Sequence, residues 1–413
     1  MTIKKKRKIQ WICFSLAIIL LWNSLVSPVI SVQAKESEQV QTEQEFHAVW
    51  ITYLEFSSKG YTKKAFQSHI NTMFDRVKKL GVNAVIVQVR PFSDAFYPSK
   101  YFPWSKYVSG EQGKDPGFDP LAYMVEAAHK RGLEFHAWLN PYRVTSSGTD
   151  VTALAKNHPA RKWLTDSKTS NDRYVLSYGD KLYYNPSITA VRTLIVNGVK
   201  EIVENYDVDG IHFDDYFYPT LGTNYASIFD AKEYEAYKAK KIEEGKGYYG
   251  IVNWRRAQVN YLLQRVYKAI KEIDPDVVFG VSPEGYMPNL LKKDRHYTDV
   301  VKWMNTEGYI DYICPQIYFS FLDEKVAFDL CVDEWLSKRE DSSKVKIYIG
   351  IPVYKAGSKD DIQFEKNSNI LTDMIKYCRN SGGVDGYFYY RYEFFYTKAT
   401  QPAVKKLLKL IKK

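Results

Sequence analysis

Residues 208–219 read VDGIHFDDYFYP, and this stretch carries the clearest indication of the fold. A short apolar run from Val208 to Phe213 leads directly into two adjacent carboxylates, Asp214 and Asp215, and aromatic residues follow them. Charged groups are costly inside a buried strand, but solvent and ligands can reach them at its end. The pattern therefore predicts a buried strand that ends in a polar site, although an isolated pair of acids is also typical of a solvated turn.

Other segments have the same Val-, Ile-, Tyr- and Phe-rich composition. Most of them lack the alternation of a half-exposed sheet, which indicates burial on both faces, as in a parallel sheet covered by helices. The predicted strands are residues 46–54, 83–91, 133–140, 208–213, 277–282, 309–318, 345–352 and 384–390. Helical patterns lie between them. In the first, Phe66, Ile70, Met73, Phe74 and Val77 share one face, and Gly81 follows as a stop signal.

Alternating strand and helix units of this number predict an α/β fold, a single (β/α)₈ TIM-type barrel with extended βα loops over residues 46–413. A doubly wound open sheet is the alternative. That fold normally has a Gly-rich phosphate-binding turn after its first strand, whereas residues 50–53 here read WITY. The sequence shows no internal repeat. No linker rich in Pro, Gly and Ser marks the boundary of a second domain.

Residues 1–34 have the pattern of a signal peptide. A basic start at residues 4–8 precedes an apolar run from Ile9 to about Val26, and Val32-Gln33-Ala34 offers a cleavage site between small residues. The apolar run is long enough for an uncleaved membrane anchor to be the alternative. Residues 35–45 are polar and acidic, which predicts a disordered leader. In either case we expect the remainder to be secreted or associated with the cell envelope.

Charge and cysteine content exclude several classes of protein. The chain carries a net charge of +10, and the basic start supplies half of it. The Lys-rich tail, 405–413, also carries apolar residues at helical spacing, so it predicts an amphipathic helix and no nucleic-acid partner. Only Cys314, Cys331 and Cys378 follow the targeting segment, so neither a disulfide scaffold nor a CxxC metal site is predicted.

Polar and aromatic residues follow most of the predicted strands, as in a barrel enzyme. Singly, each has a structural explanation. Arg90 would pair with Asp94, His136 would be a core histidine with hydrogen-bond partners, and Tyr318 would pack in the core. Together, six such strand ends indicate a site. The candidate residues are Arg90, Asp94, His136, Trp138, Asn140, Arg143, His212, Asp214, Asp215, Tyr216, Glu284, Gln316, Tyr318 and Glu393.

Aromatic residues make up 15% of the chain, including 34 Tyr and 9 Trp. Most of them are expected in the core or scattered over the surface. Near the strand ends, however, their rings could stack on the apolar faces of sugars while carboxylates and amides bind the hydroxyls. The rings considered for this role are those of Trp104, Trp138, Tyr216, Tyr218 and Tyr318.

Longer motifs in the same regions resemble a known family. They are QVRPFSDAFYPSKYFPWS at 88–105, GKDPGFDPLAYMVEAAHKRGLEFHAWLNPYR at 113–143, YYNPSITAVR at 183–192, YDVDGIHFDDYFYP at 206–219, NWRRAQVN at 253–260, GVSPEGYMPN at 280–289 and YICPQIYF at 312–319. Together they resemble the glycosyl hydrolase-like 10 family of bacterial envelope proteins, in order over about residues 46–395. The resemblance implies a barrel glycosidase distantly similar to the α-amylase clan, with bacterial cell-wall (peptidoglycan) glycan as its polysaccharide substrate.

A glycosidase typically uses two carboxylates, one as nucleophile or base and one as acid. In the amylase-type pattern, the fourth strand carries a glycine and, four residues later, the nucleophilic aspartate. Gly210 and Asp214 have this offset, with His212 where an arginine is usual. Asp215 is the second candidate, since one acid of such a pair ionises while the other orients or binds.

The proton donor is expected just after the fifth predicted strand, where Glu284 stands. The family often has an apolar residue at this position, so Asp94 and Glu393 remain competitors for the role.

Two other functions are compatible with the sequence. A metal-dependent hydrolase would use His136, His212, Asp214 and Asp215, but the first strand has one histidine where such barrels usually have an HxH pair, and no HExxH motif occurs. A barrel that binds glycan without cleaving it is the other. The sequence predicts no metal, no cofactor and no particular protein partner.

Overall fold

The computed structural model describes residues 45–323 and 326–412. The predicted signal peptide, and residues 35–44 of the predicted leader, lie outside the described residues. The strands are β1 Phe46–Ile51, β2 Ala84–Arg90, β3 Glu134–Leu139, β4 Val175–Tyr178, β5 Lys181–Tyr184, β6 Gly210–Asp214, β7 Val278–Ser282, β8 Tyr312–Ile313, β9 Lys346–Pro352 and β10 Gly386–Tyr390. The helices are α1 Lys63–Leu80, α2 Lys106–Ser109, α3 Pro120–His129, α4 Pro159–Thr165, α5 Thr189–Asn205, α6 Ala231–Glu243, α7 Ile251–Ile273, α8 Met287–Leu290, α9 Val300–Asn305, α10 Phe328–Ser337, α11 Ile362–Lys366, α12 Ile370–Ser381 and α13 Gln401–Ile411.

The parallel strands close into a barrel in the order β1-β10-β9-β8-β7-β6-β3-β2, which confirms the predicted (β/α)₈ architecture. Each predicted strand contributes one barrel strand, although β8 is much shorter than the apolar run that predicted it. The antiparallel hairpin β4–β5, inserted between β3 and β6, is an addition that the sequence analysis did not predict.

The first helix shows how the apolar pattern becomes a packed layer. The Thr62 side chain caps the start of α1 by accepting from the Ala65 backbone N–H, and Gly81 ends the helix at a φ of 85°, in the left-handed region that glycine tolerates best. The predicted apolar face is buried against the outside of the barrel. The C-terminal helix α13 likewise buries Ala403, Val404 and Leu407, as its amphipathic pattern predicted.

The inside of the barrel is filled by a separate cluster of side chains. It consists of Ala48, Trp50, Ala84, Ile86, Trp138, Tyr312, Cys314, Tyr348 and Phe388. Glycines make room for its rings: a Cβ on Gly210 would lie 2.6 Å from Nδ1 of His136, and one on Gly280 would lie 2.1 Å from the Tyr312 ring. The interior is therefore a packed core, and a ligand can bind only at the ends of the barrel.

Two further findings concern the described part of the chain. Within residues 45–323 and 326–412, no helix is long and apolar enough to cross a membrane. Cys314, Cys331 and Cys378 are buried and not joined in disulfides.

Candidate active site

A cleft of about 180 Å³ opens at the carboxyl ends of the barrel strands. Most strands contribute to it, because side chains at the last inward-facing position of each strand point to the barrel mouth. Its lining residues are Trp50, Thr52, Tyr53, Leu54, Gln88, Trp138, Arg143, Asp214, Tyr216, Ser282, Gln316 and Tyr390. Of the residues predicted for the site, the cleft brings together Trp138, Arg143, Asp214, Tyr216 and Gln316.

Asp214 is the buried acid of this cleft, with 2% of its surface exposed. Three N–H groups donate to its carboxylate: the Trp138 indole at 3.3 Å, the Asn140 side-chain amide, and the Tyr216 backbone at 3.4 Å. Gln88 holds Asn140 in place by donating to its Oδ1 at 2.6 Å. Asn140 is not among the lining residues, and it orients Asp214 by this hydrogen bond.

The pKa of Asp214 is raised to about 7. Burial is the main cause and the negative charge of Asp215 adds to it, whereas Arg143 and the N–H donors act in the opposite direction. A buried carboxylate surrounded by neutral donors is stabilised less than one paired with a cation, so burial prevails here. Asp214 consequently changes charge near neutral pH.

Asp215, Glu284 and His296 form a second group beside the cleft, which we call the carboxylate–histidine cluster. The imidazole Nε2 of His296 lies 3.0 Å from Glu284 Oε2, and its Nδ1 lies 3.7 Å from Asp215 Oδ2. Asn289 also donates to Glu284. His296 adopts a φ of 57°, an uncommon value for a residue with a side chain, which directs its ring between the two acids.

The pKa values within the cluster follow from these contacts. Burial lowers the pKa of His296, but its hydrogen bond to Glu284 and the charge of Asp215 outweigh burial and raise it. Burial raises the pKa of Glu284, but His296 and Asn289 outweigh it, so this pKa is lowered. Burial raises the pKa of Asp215, and the neighbouring Glu284 adds to the rise. The contacts therefore favour a protonated imidazole of His296 between the two acids.

Arg143 and the aromatic rings give the cleft its recognition surface. The Arg143 guanidinium lies 4.7 Å from the Phe92 ring centre and 4.9 Å from that of Tyr216. Tyr216 is 54% exposed although its neighbours are buried. A ring and a fixed guanidinium side by side can contact the apolar face and the hydroxyls of one sugar.

Gln316 and Tyr318 lie on the opposite side of the cleft. Gln316 donates to the Ser282 carbonyl oxygen at 2.7 Å. The Tyr318 ring packs 5.7 Å from that of Tyr390, and its buried hydroxyl has no hydrogen-bond partner among residues 45–323 and 326–412. Tyr318 therefore packs against Tyr390, whose ring lines the cleft.

His212 and His136 lie inside the barrel, below the cleft. The Trp50 indole N–H donates to Nε2 of His212 at 3.3 Å, so Nε2 is an acceptor and Nδ1 carries the proton toward the Tyr312 hydroxyl, 2.9 Å away. Burial holds the pKa of His212 well below its usual value, so the ring is neutral. His136 reaches the same hydroxyl at 3.2 Å from nearer the amino end. Neither histidine lines the cleft.

Arg90 and Asp94 also lie away from the cleft. The β2–β3 register shifts between Gln88 and Arg90, which places Arg90 beside Leu139 and turns it outward. Its guanidinium packs 4.4 Å from the Phe102 ring. Asp94 is buried, which raises its pKa to about 6, and it accepts from Gln112 at 3.3 Å.

Three further candidates have structural partners or positions outside the cleft. Glu393 pairs with Arg391 at 3.0 Å. The Tyr218 hydroxyl donates to Asp230 at 2.8 Å, beneath the β6–α6 segment. Trp104 packs against the core and is not among the lining residues.

Sequence reasoning did not assign His296 to the site, nor seven of the residues that line the cleft: Trp50, Thr52, Tyr53, Leu54, Gln88, Ser282 and Tyr390. Trp50 lies near the end of β1, and the general rule for strand ends could have identified it. His296 follows α8 in the charged segment 292–296, far from any strand, and carries no comparable signal. In the described part of the chain, no three His, Cys, Asp or Glu side chains converge closely enough to hold a metal ion.

Comparison with known proteins decides the family. Over residues 45–367 the chain matches the family described as Glycosyl hydrolase-like 10. The chain belongs to this family. It is 40% identical over 365 residues to "Glycosyl hydrolase YngK" of Bacillus subtilis (strain 168), covering 84% of this chain and 68% of that protein. It is 32% identical over 375 residues to "Glycosyl hydrolase DigH" of Escherichia coli (strain K12), covering 83% and 80%, respectively.

Among solved structures, the glycoside hydrolase domain of PgaB (BpsB) from Bordetella bronchiseptica aligns with a TM-score of 0.56 at 14% identity. The alignment covers 89% of this chain and 99% of that domain. At this level of identity the likeness shows the barrel fold alone. Membership of the glycosyl hydrolase-like 10 family and the names of both sequence relatives support a glycosidase with a carbohydrate substrate.

Proposed function

We propose that this chain is an exported glycoside hydrolase that cleaves the glycan of the bacterial cell wall. The observation that carries the proposal is Asp214: a buried carboxylate with a pKa of about 7, at the end of β6, in a cleft lined by Trp50, Trp138, Tyr216 and Tyr390. Such a group can hold a negative charge next to a sugar ring, with N–H donors already in place to orient it.

Asp214 is the nucleophile or base in this mechanism. Its three hydrogen-bond partners are all donors, so they orient the carboxylate and offer no acceptor for a proton. A positive charge developing at the anomeric carbon would favour the ionised form further. The charge of Asp214 is then largest in the transition state, where it lowers the barrier.

Glu284 is the proton donor in this mechanism, and His296 supplies its proton. The raised pKa of His296 favours a protonated imidazole beside Glu284, and Glu284 is the cluster member with the most exposed side chain. Transfer of this proton through Glu284 to the glycosidic oxygen would let the leaving sugar depart as a neutral alcohol.

The resemblance to envelope proteins and the predicted signal peptide support wall glycan as the substrate. Its sugars offer apolar ring faces and N-acetyl groups, which suit a cleft of rings with a few polar groups. We propose that the mature protein begins near Lys35 and acts outside the cytoplasm.

One experiment tests the proposal directly. Residues 35–413 are incubated with purified peptidoglycan and with the same glycan stripped of its stem peptides, and the soluble products are identified by mass. We expect sugar fragments with new reducing ends from at least one of the two. Release of peptides or amino acids alone, or no release in either case, would contradict the proposal.

A further inference from the structure

A second concave surface lies on the outside of the barrel, mainly between α6 and α7. We call it the α6–α7 groove; its volume is about 940 Å³. Its lining residues are Ser187, Ile188, Glu233, Ala236, Tyr237, Lys240, Lys241, Gly247, Tyr248, Tyr249, Trp254, Ala257, Gln258 and Tyr261. The mechanism proposed above uses none of them.

Three tyrosine rings of this groove are half exposed. Tyr248 is 46%, Tyr249 is 56% and Tyr261 is 49% exposed. Single exposed rings are ordinary, but a cluster of them around a concavity is typical of a binding surface. Tyrosine suits a sugar ligand, since its ring packs on apolar C–H faces and its hydroxyl bonds to water or to the ligand.

Two supporting tyrosines hold the backbone at Tyr249. The Tyr249 backbone N–H donates to the Tyr237 hydroxyl at 3.1 Å, and the Tyr234 hydroxyl donates to the Tyr249 carbonyl oxygen at 3.2 Å. Both supporting rings pack on the buried indole of Trp254, at 6.0 and 5.5 Å. The backbone that carries Tyr249 is thus held in place before any ligand arrives, which reduces the entropy lost on binding.

The charges around the groove leave an excess of cations. Glu233 accepts from Arg173 at 2.8 Å and is neutralised. Glu244 is shared by Lys246 at 3.1 Å, Lys241 at 3.4 Å and Lys240 at 3.9 Å. The groove can therefore accept a polymer that carries carboxylates, as wall glycan does on its lactyl groups where the stem peptides have been removed.

The groove lies at the same end of the barrel as the cleft. Helices of a (β/α)₈ barrel start at the carboxyl end of the strands, and the groove is formed around the first residues of α5 and α7. The β4–β5 hairpin lies between the two sites: Tyr183 is bridged to Arg143 of the cleft, and its ring lies 6.1 Å from that of Phe229. Arg173 joins the Phe229 carbonyl oxygen to Glu233 of the groove.

From these observations we propose that the α6–α7 groove is a second glycan-binding site, which holds one part of a wall-glycan strand while another part occupies the cleft. This inference rests on the proposed function, because it takes its ligand from it. A site of this kind raises the local concentration of polymer at the cleft without taking part in bond cleavage.

The test measures retention on insoluble wall glycan in the Asp214→Asn protein, so that no cleavage is needed. Adding Tyr248→Ala, Tyr249→Ala and Tyr261→Ala together is expected to weaken retention by about tenfold or more, since each ring contributes part of the contact. Tyr396→Ala is the matched control, because Tyr396 is 41% exposed and lies outside the groove. If the triple variant unfolds, the single variants Tyr249→Ala and Tyr261→Ala are compared instead.

Retention of the triple variant equal to that of its Asp214→Asn parent overturns the groove proposal. If the unchanged protein releases sugar fragments in that case, the proposed function stands and only the groove fails. If the Asp214→Asn protein is not retained and the unchanged protein releases nothing, wall glycan is the wrong ligand for both sites.

Discussion

Asp214 ends β6 and Glu284 lies just after the neighbouring strand β7, and burial acts on both, yet their pKa values move in opposite directions. Asp214 is contacted by neutral N–H donors, and burial raises its pKa to about 7. Glu284 is contacted by an imidazole whose own pKa is raised, and its pKa is lowered. Glu284 is also less buried, with 26% of its side chain exposed against 2% of Asp214, so depth and partner together decide where the proton lies.

The comparison also separates two assignments of catalytic role. In the free protein the higher pKa belongs to Asp214, although the sequence pattern assigns the negative charge to Asp214 and the proton to Glu284. In the free protein a proton therefore favours Asp214 over Glu284, whereas bond cleavage requires it on Glu284. The proposed mechanism resolves this through His296, which supplies the proton that Glu284 lacks.

The largest expected effect is that of Asp214→Asn. This change keeps the shape of the side chain and removes the charge, so turnover of wall glycan should fall by about a thousandfold or more. Because the folded-state pKa of Asp214 is raised, its ionisation destabilises the protein as pH rises through about 7. The variant should therefore be at least as stable as the parent at pH 8, as measured by thermal unfolding. Full activity would transfer the role to Asp215.

Replacing Glu284 by Gln removes the proton donor and keeps the contact with Asn289. Turnover should fall by about a hundredfold on substrates with poor leaving groups and much less on aryl glycosides, whose leaving group needs no proton. Equal losses on both kinds of substrate would show that Glu284 acts in binding, and Asp94→Asn would then be the next variant to measure.

Replacing His296 by Gln separates a proton supply from a structural contact. A glutamine can still donate to Glu284 but cannot hold the proton, so we expect about a tenfold loss of kcat with little change in KM. The alkaline limb of the pH–rate profile, where His296 loses its proton, should disappear. A fall in KM and kcat together, with an unchanged profile, would indicate that His296 only positions the loop.

The smallest expected effect is the fall in kcat/KM of the unmodified protein on the acid side of its pH–rate profile. Asp214 must be ionised to act as nucleophile or base, so kcat/KM should fall by up to about tenfold for each pH unit below about 7. The opposite dependence, with activity lost as pH rises through 7, would make Asp214 the acid and exchange the two roles.

Local patterns in the sequence predicted the barrel and the position of Asp214 at its mouth. Buried strands and amphipathic helices follow from local periodicity, which every segment carries independently of the others. Asp214 could be predicted because it follows a strand directly, and in a parallel barrel all such ends meet at one mouth.

Which of the other candidates reach that mouth depends on how distant segments pack in the folded chain. The shifted register after Gln88 turns Arg90 outward, and His136 and His212 point inward but lie below the cleft. His296 enters the site from a loop beyond α8. Side-chain direction and depth depend on register and on contacts between distant segments, and no local pattern in the sequence encodes them.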